Sequence, residues 1–548
     1  MFSSARPFLT ALASKLRGFP APFSLGAMLC LAGLHVIPGV CHGQTTNSAS
    51  SGNKSNNNDN ALLLDLLVKK GFVTQSEAEQ VMAESDRLKT NFSTNSYTKW
   101  KIGDGIKNME LFGDIRLRYE NRQVRTPDNG AVNLDRYRYA LRLGLRGDAE
   151  GDVYYGLRLE TSSNPRSPWV TFASSSSGAP YQGPFGKSTS GINLGQIYLG
   201  WKPNEDVDLT LGKMANPLFT TPMVWDSDLN PEGAAERFKY DIGPAQFFAT
   251  FGQFIYEDVN PTTSTPFLFS STDPGHNANP PFLMAMQGGV NYKLSKDMSF
   301  KVGGTLYNYL GHGSVTPTNG PLQGTPGFSD DYVGEGAGGV VPGYPDAGAS
   351  GYPGGAADGF YYNQTGVNDL LVMEFPAEFN FKLWGQHVKI FGDFAENLDG
   401  EQRAEAAVAA AANPNIYATP MTIPLQKNQN KAYQAGFAVG NSEELGQAYG
   451  SAIKRGAWET RFYWQHVEQY SLDPNLIDSD FFEGRENMQG VYLAFAYGFT
   501  DNLVGTVRYG YASRIDKKLG TGGSNLDVPQ VNPVDQYQLL QLDLALKL

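Results

Sequence analysis

The sequence predicts an all-β fold, a transmembrane antiparallel β-barrel of about 16 strands preceded by a short N-terminal periplasmic helical segment. The first observation is a strict alternation of apolar and charged residues, clearest at 111–120 and 134–147. Successive side chains of a strand point to opposite faces, so each such ribbon has one apolar and one charged face. The second observation is that the alternation recurs through residues 109–548. The third is that the connections between strand candidates are alternately short and long, as in outer-membrane barrels.

Residues 1–43 have the organisation of a secretory signal peptide. Three basic residues precede an apolar core at 23–37, and we expect cleavage after Gly43. Cleavage there removes Cys30 and Cys41, the two cysteines of the chain. The exported protein would then have no disulfide, no catalytic thiol and no cysteine-based metal site.

The charge balance of the exported chain is acidic. Without the signal it has 40 basic and 55 acidic residues. Such a balance argues against nucleic acid as a partner and favours cations in a pore. No segment beyond the signal approaches the roughly 18 uninterrupted apolar residues that a membrane helix needs, so the membrane would be crossed by strands.

A linker and a helical module precede the barrel. Residues 44–60 form a polar linker rich in Asn and Ser, which has little to bury. Residues 61–92 form the periplasmic helical segment, with a helix stop at Gly71 and a capping box at 74–77. This segment either docks on a neighbour or on the barrel, or is only a small plug or spacer.

Residues 109–548 form the predicted barrel domain. The expected strands are 110–120, 134–147, 151–161, 192–202, 206–214, 235–242, 244–256, 283–295, 297–311, 370–383, 386–396, 430–440, 455–469, 487–500, 502–514 and 535–548. One connection, at 441–454, is long where the alternation requires a short turn, so one strand could be miscounted. An Ala-rich stretch at 401–412 predicts a short helix within its loop. The last strand alternates as barrel assembly signals do, although it ends in Leu548 instead of an aromatic residue.

An arginine column follows the charged faces of the first three strands. A charge that faces lipid at mid-depth costs about 2–4 kcal/mol, so we expect these side chains to point inward and form a pore-lining basic wall. Its members are Arg116, Arg118, Arg136, Arg138, Arg142, Arg146 and Arg158. Acidic residues on the same faces leave a second interpretation open, a ladder of ion pairs that only braces the wall.

The loop after the fifth strand, 215–234, has a composition of its own. Three prolines stiffen it, and an acidic run follows its tryptophan. The residues of interest, in the stretch that runs from this loop to the start of the next strand, are Trp225, Asp226, Asp228, Glu232 and Glu236.

No enzyme motif is present. The sequence has no nucleophile elbow, no zinc-binding His-Glu-x-x-His and no phosphate-binding glycine-rich loop before a helix. We therefore expect no catalytic residues, no metal site and no cofactor.

Four segments resemble the putative porin family of Gram-negative outer membranes. They are Leu63–Gly71, Phe112–Glu120, Leu211–Pro217 with its continuation Val224–Gly233, and Gly490–Leu503. The resemblance implies a trimer-forming diffusion channel in the outer membrane that passes small hydrophilic solutes and ions. Such a protein contacts outer-membrane lipid and the barrel assembly machinery. In sixteen-stranded porins the third exterior loop folds into the barrel, and 215–234 would be that constriction loop, facing the arginine wall.

Three other interpretations stay open. The protein could be a plugged barrel that acts as a surface interaction or structural protein. It could be a specific channel that needs an energised or periplasmic partner docked on 61–88. A soluble secreted β-protein is disfavoured by the uniformly apolar outer faces. The sign of ion selectivity is also open, because the net charge favours cations while the arginine wall offers anions a path.

Overall fold

The computed structural model describes most of the second of two units into which the chain divides, 1–105 and 106–548. The described residues are 105–127, 129–162, 167–172, 191–256, 282–310, 332–333, 365–366, 370–411, 424–442, 445–446, 454–474, 476–521 and 533–548. The predicted signal peptide (1–43), linker (44–60) and helical segment (61–92) lie outside them.

Twenty strands and one α-helix form the described part. The strands are β1 (Glu110–Arg125), β2 (Ala131–Asp148), β3 (Val153–Ser162), β4 (Val170–Thr171), β5 (Gly191–Asn204), β6 (Val207–Lys213), β7 (Glu232–Ile242), β8 (Ala245–Ile255), β9 (Phe282–Ser295), β10 (Met298–Leu310), β11 (Tyr332–Val333), β12 (Thr365–Gly366), β13 (Leu371–Glu374), β14 (Ala377–Leu383), β15 (Gln386–Asn397), β16 (Lys431–Gly440), β17 (Trp458–Val467), β18 (Met488–Gly498), β19 (Leu503–Arg514) and β20 (Gln536–Lys547). The helix α1 (Gly400–Ala411) lies between β15 and β16.

The sheet is a closed antiparallel barrel. Strands that follow one another around the barrel pair antiparallel, and β1 pairs with both β2 and β20, which closes the ring. β4 continues the row of β3 along β2, and β13 and β14 both pair with β10 and β15 as one interrupted strand. Counted in this way the barrel has 16 strands, which confirms the predicted fold class. The β11–β12 pair is separate from it.

The connections also follow the predicted asymmetry. At the end of the barrel that we call the turn end, β5 and β6 are joined at 205–206, β9 and β10 at 296–297, and β14 and β15 at 384–385. The loop end carries the long connections, including 214–231 between β6 and β7 and 468–487 between β17 and β18. The long segment 441–457 lies at the turn end, and the strands on either side of it, β16 and β17, pair directly with each other, so the barrel has no further strand between them.

The two faces of the wall differ as the alternation predicts. Leu117 and Leu143 are 47% and 42% exposed, on the outer face. Arg118 and Glu120, on the inner face, are 4% and 0% exposed. A bilayer favours an apolar outer face and a polar lumen, so the period of two alone separates lipid from water. No helix among the described residues is long and apolar enough to cross a membrane.

The buried apolar cluster lies inside the ring, where two long loops meet inward-facing side chains. Trp225 of the β6–β7 connection packs against Phe254 and Tyr307, at centroid distances of 6.1 and 6.4 Å. Phe481 of the β17–β18 connection packs against Tyr492 at 5.3 Å. These loops therefore occupy part of the lumen.

An arginine introduced on the outer face should destabilise the barrel. Leu117 lies opposite Tyr139 and Leu544 in the middle of β1. We expect Leu117→Arg to lower the free energy of unfolding by about 2–4 kcal/mol, because it places a charge in hydrocarbon. Urea unfolding in phospholipid vesicles measures it. Ser299→Arg, on the inner face of β10, is the matched control. Equal losses in the two variants would contradict the assignment of faces.

Candidate functional site

The predicted arginines share one face of β1, β2 and β3, opposite the exposed apolar residues. Each has a carboxylate within ion-pair distance. Arg116 contacts Asp114 at 2.6 Å, Arg146 contacts Glu110 at 2.8 Å, and Arg158 contacts Glu160 at 3.0 Å. The sequence of the wall is rich in arginine, but nearby carboxylates neutralise these arginines in the folded barrel. Both interpretations of the column, a basic wall and an ion-pair ladder, rest on the same side chains.

Glu120 is the centre of a compact arginine cluster. The carboxylate is fully buried. Arg136 donates from Nε to its Oε1 at 2.6 Å, Arg122 donates from Nη2 to its Oε2 at 3.1 Å, and Arg138 lies 3.9 Å away. Arg122 was absent from the predicted wall although it continues the period of two along β1. The alternation of β1 would therefore have found Arg122 if the predicted strand had been extended by two residues.

Arg118 connects the first strand, the last strand and a loop. Its Nε and Nη2 donate to Asp543 of β20 at 2.7 and 2.9 Å, and its Nη1 donates to Asp480 at 2.7 Å. Its guanidinium also stacks over the Trp169 ring at 4.0 Å. Arg508 of β19 contacts the same Asp543. The sequence did not single out Asp480, because 471–486 resembled any other exterior loop.

We call residues 214–231 the inward loop. Its base is closed by the Met214 N–H, which donates to the Pro231 carbonyl at 3.0 Å. The chain leaves β6 through Gly212, where a Cβ would meet the Ile197 carbonyl oxygen at 2.3 Å and φ is +123°. Only glycine accepts this approach and this φ.

Side chains and backbone fasten the inward loop to strands far apart in the ring. Toward β2 and β5, Asp228 pairs with Arg142, and Asn230 accepts from Gln196 at 2.8 Å. Toward β9, Phe219 exchanges two 2.8 Å hydrogen bonds with the Gln287 amide. Further round, Thr220 and Thr221 donate to Glu374 of β13 and Asp393 of β15. The loop therefore extends across the lumen.

The β17–β18 loop, 468–487, meets the inward loop in the lumen. The Asp226 N–H donates to the Leu476 carbonyl, and the Asp478 N–H donates to the Pro222 carbonyl at 3.0 Å. Asp226 Oδ2 also accepts from the Ser479 backbone and hydroxyl, at 3.1 and 2.9 Å. We call this contact the loop junction.

Two of the predicted loop residues lie elsewhere. Glu232 and Glu236 belong to β7, which starts three residues earlier than predicted. Glu232 pairs with Lys213, and Glu236 accepts from Gln253 at 3.1 Å. Both share a face with Phe238, which is 39% exposed on the outside. They therefore do not face the lumen with Asp226 and Asp228 of the inward loop.

Four aspartates give the loop junction opposed titration behaviour. Burial, with Asp228 and Asp478 nearby, holds the pKa of Asp226 well above its usual range. Burial and Asp480 raise the pKa of Asp478 to about 7. Burial also acts to raise the pKa of Asp228 and of Asp480, but Arg142 and Arg118 outweigh it and hold both below the ordinary value.

The loop junction should loosen as pH rises from about 4 to about 7. A raised pKa means that the folded junction is favoured by the protonated carboxyl, so its stability is greatest below the ordinary Asp pKa and is lost through the raised one. Hydrogen exchange of the Asp226 and Asp478 amides, corrected for the intrinsic rate, should show less protection at pH 7.5 than at pH 4.5.

Asp478→Asn should reduce this pH dependence, leaving the share of Asp226. Asp152→Asn is the control, because Asp152 lies in an exposed turn at φ +62°, which Asn adopts readily. An unchanged pH profile in Asp478→Asn would contradict the assignment.

Sequence comparison gives a family and no curated relative. The sequence profile of the family described as "Putative porin" matches residues 127–322 and 369–545. A search of curated proteins gives no match.

Several solved barrels align at low identity. OprB of Pseudomonas putida is 13% identical, with 81% of this chain and 94% of OprB covered and a TM-score of 0.40. An anion-selective porin from Comamonas acidovorans is 9% identical, with 80% and 99% covered and a TM-score of 0.38. OpdQ of Pseudomonas aeruginosa is 12% identical, with 81% and 99% covered and a TM-score of 0.35. At TM-scores this low, the alignments say nothing about the function of this chain. The family match spans more than half of the chain. The chain therefore belongs to the putative porin family, and it is a channel-type β-barrel of the Gram-negative outer membrane.

Proposed function

We propose that the protein is a porin, a water-filled channel through which small hydrophilic solutes and ions diffuse passively. A barrel of this strand number encloses an aqueous lumen instead of a packed core. The observation that carries the proposal is the inward loop, which is fastened to β2 and β5 on one side and to β9, β13 and β15 on the other. A loop held across the lumen narrows it without sealing the cavity of about 610 Å³ beside it.

The inward loop and the arginine wall together form the proposed constriction. Asp228 touches Arg142 directly, so the two walls are joined on that side and the free passage runs along the other side of the loop. Because the arginines are paired with carboxylates, we expect weak selectivity for the sign of an ion. Opposed charges at a narrow point would still orient polar solutes.

The alternative is a plugged barrel that acts as a surface interaction or structural protein. One observation favours it. The β17–β18 loop also lies in the lumen, where Glu483, Arg485 and Asn487 are fully buried. Arg122 pairs with Glu483 at 3.3 Å and thereby ties that loop to the wall. Two loops inside one barrel leave less room for a passage.

Lipid, the barrel assembly machinery and two further copies of the chain are the proposed partners. The exposed apolar outer face fits lipid. A homotrimer remains the proposed assembly, and cross-linking of the protein in outer membranes followed by gel analysis would test it.

Single-channel recording separates porin from plug. The purified protein is added to a planar bilayer under a salt gradient, after heat-modifiable gel mobility has shown it to be folded. A porin gives steady, ohmic current steps, and the reversal potential reports its sign preference. Folded protein that gives no steps would establish the plugged barrel.

Neutralising the acidic residues of the inward loop should shift selectivity toward anions. Asp226→Asn with Asp228→Asn leaves Arg142 without its loop partner and adds positive charge to the passage. We expect the reversal potential in a KCl gradient to move toward the chloride potential. The control is Glu232→Gln with Glu236→Gln, which changes the same formal charge on the outer face of β7 and should leave the potential in place. A reversal potential that stays fixed in the loop variant would count against this loop as the constriction.

A further inference from the structure

A cavity of about 610 Å³ lies inside the barrel on the turn side of the inward loop. Strands β5 to β10 form its wall, and the segment of the inward loop around Phe219 also lines it. Asn204 and Glu205, at the β5–β6 turn, line it at the turn end. A solute that passes the inward loop on this side would have to cross it.

Three polar side chains form a row across adjacent strands of this cavity. Gln246 of β8 is the register partner of Asn291 of β9, and Asn291 is the register partner of Lys301 of β10. All three line the cavity and are partly exposed. Within the described part of the chain, the side-chain amides of Gln246 and Asn291 form no hydrogen bond. They can therefore donate to a bound solute.

Aromatic rings hold Lys301 in place. Its Nζ lies 3.9 Å from the centroid of the Phe219 ring and 5.1 Å from that of Phe248. No carboxylate among the described residues lies within ion-pair distance of it. Its register partner on β14, Glu378, is instead paired with Lys389 at 3.0 Å. Lys301 therefore presents an ammonium held by two aromatic faces, and the acidic residue near it, Glu378, is bound to another lysine.

Glu205, Asp206 and Asp208 also line the cavity, together with the cations Lys202 and Arg237. Asp208 is already engaged by Arg237 and accepts from the Tyr154 hydroxyl. Lys239 also lines the cavity. The four cations outnumber the three carboxylates, so an anion that entered would meet an excess of one positive charge and, beside Lys301, neutral amide donors.

We propose that this cavity is a binding subsite for small organic carboxylates that carry an apolar group. The carboxylate would bind the Lys301 ammonium and accept from the Gln246 and Asn291 amides. The apolar group would lie against Phe248 and Phe219. The inference rests on the proposed channel function, since it gives that channel a preferred class of permeant. Charge-assisted hydrogen bonds and ring contacts each favour such a solute over chloride.

The test uses the full chain in a planar bilayer with KCl on both sides. Benzoate is the probe, benzamide is its neutral counterpart, and acetate lacks the ring. We expect benzoate to reduce the KCl current at lower concentration than either of the other two. Lys301→Gln should raise the half-inhibitory concentration of benzoate about tenfold, which corresponds to the loss of one charge-assisted contact.

Matched variants separate the subsite from a general change in charge. Lys382→Gln removes an inward-facing cation that is paired with Asp297 at 3.0 Å, and it should leave inhibition by benzoate within about twofold. Lys301→Arg should retain most of the inhibition. Phe248→Leu should weaken benzoate more than acetate, because it removes only the ring contact.

The outcomes distinguish the subsite from the channel. Channels that conduct KCl but respond equally to benzoate and benzamide would overturn the subsite and leave the porin standing. Equal effects of Lys301→Gln and Lys382→Gln would also overturn it. Folded protein without any current steps would overturn both proposals together.

Discussion

The interaction on which the rest of the structure depends is the one between Arg118 and Asp543. It joins the inner faces of the first and last strands, at the pairing that closes the ring. The same guanidinium holds Asp480, so closure of the barrel and position of the β17–β18 loop share one buried cation. A buried charge that loses its partner is costly, typically about 3–5 kcal/mol, so neither contact can be given up independently. Folding of the wall and filling of the lumen are thereby coupled.

The barrel could be predicted because each strand has lipid on one side and the polar lumen on the other. Apolar and polar residues therefore alternate along it with a period of two. Where that constraint weakens, the predicted bounds are wrong. β1 continues to Arg125, five residues beyond the prediction, since its outer face there carries Asn121 and Gln123, whose polarity broke the pattern while strand pairing went on. The predicted strand 370–383 is interrupted as β13 and β14 by Phe375 and Pro376, because proline cannot donate to the ladder. Predicted helix 401–412 matches α1 closely, since a run of alanine favours a helix without tertiary support.

For the candidate site, the alternation along each strand predicts which face a side chain lies on and nothing more. The alternation groups the arginines on one face, yet it could not supply their partners, because Asp480, Asp228 and Asp543 come from distant parts of the chain. The alternation along β7 also places Glu236. It shares the outer face with Phe238, two residues away, and so points away from the lumen. The row formed by Gln246, Asn291 and Lys301 requires the register of three strands, which alternation within one strand does not determine.

The pairing of each wall arginine with a carboxylate changes how the wall can act on ions in a channel. A ladder of free guanidinium groups would draw anions along it, but each group here is held by a carboxylate, and two of those carboxylates belong to loops. The loops therefore act twice, since they occupy the lumen and they neutralise its wall. The effective charge along a passage is then set by the cations that no carboxylate holds. In the described part of the lumen, Lys301 is such a cation, and it lies away from the arginines, beyond the inward loop. Geometry and charge thus direct a solute toward the same side of that loop.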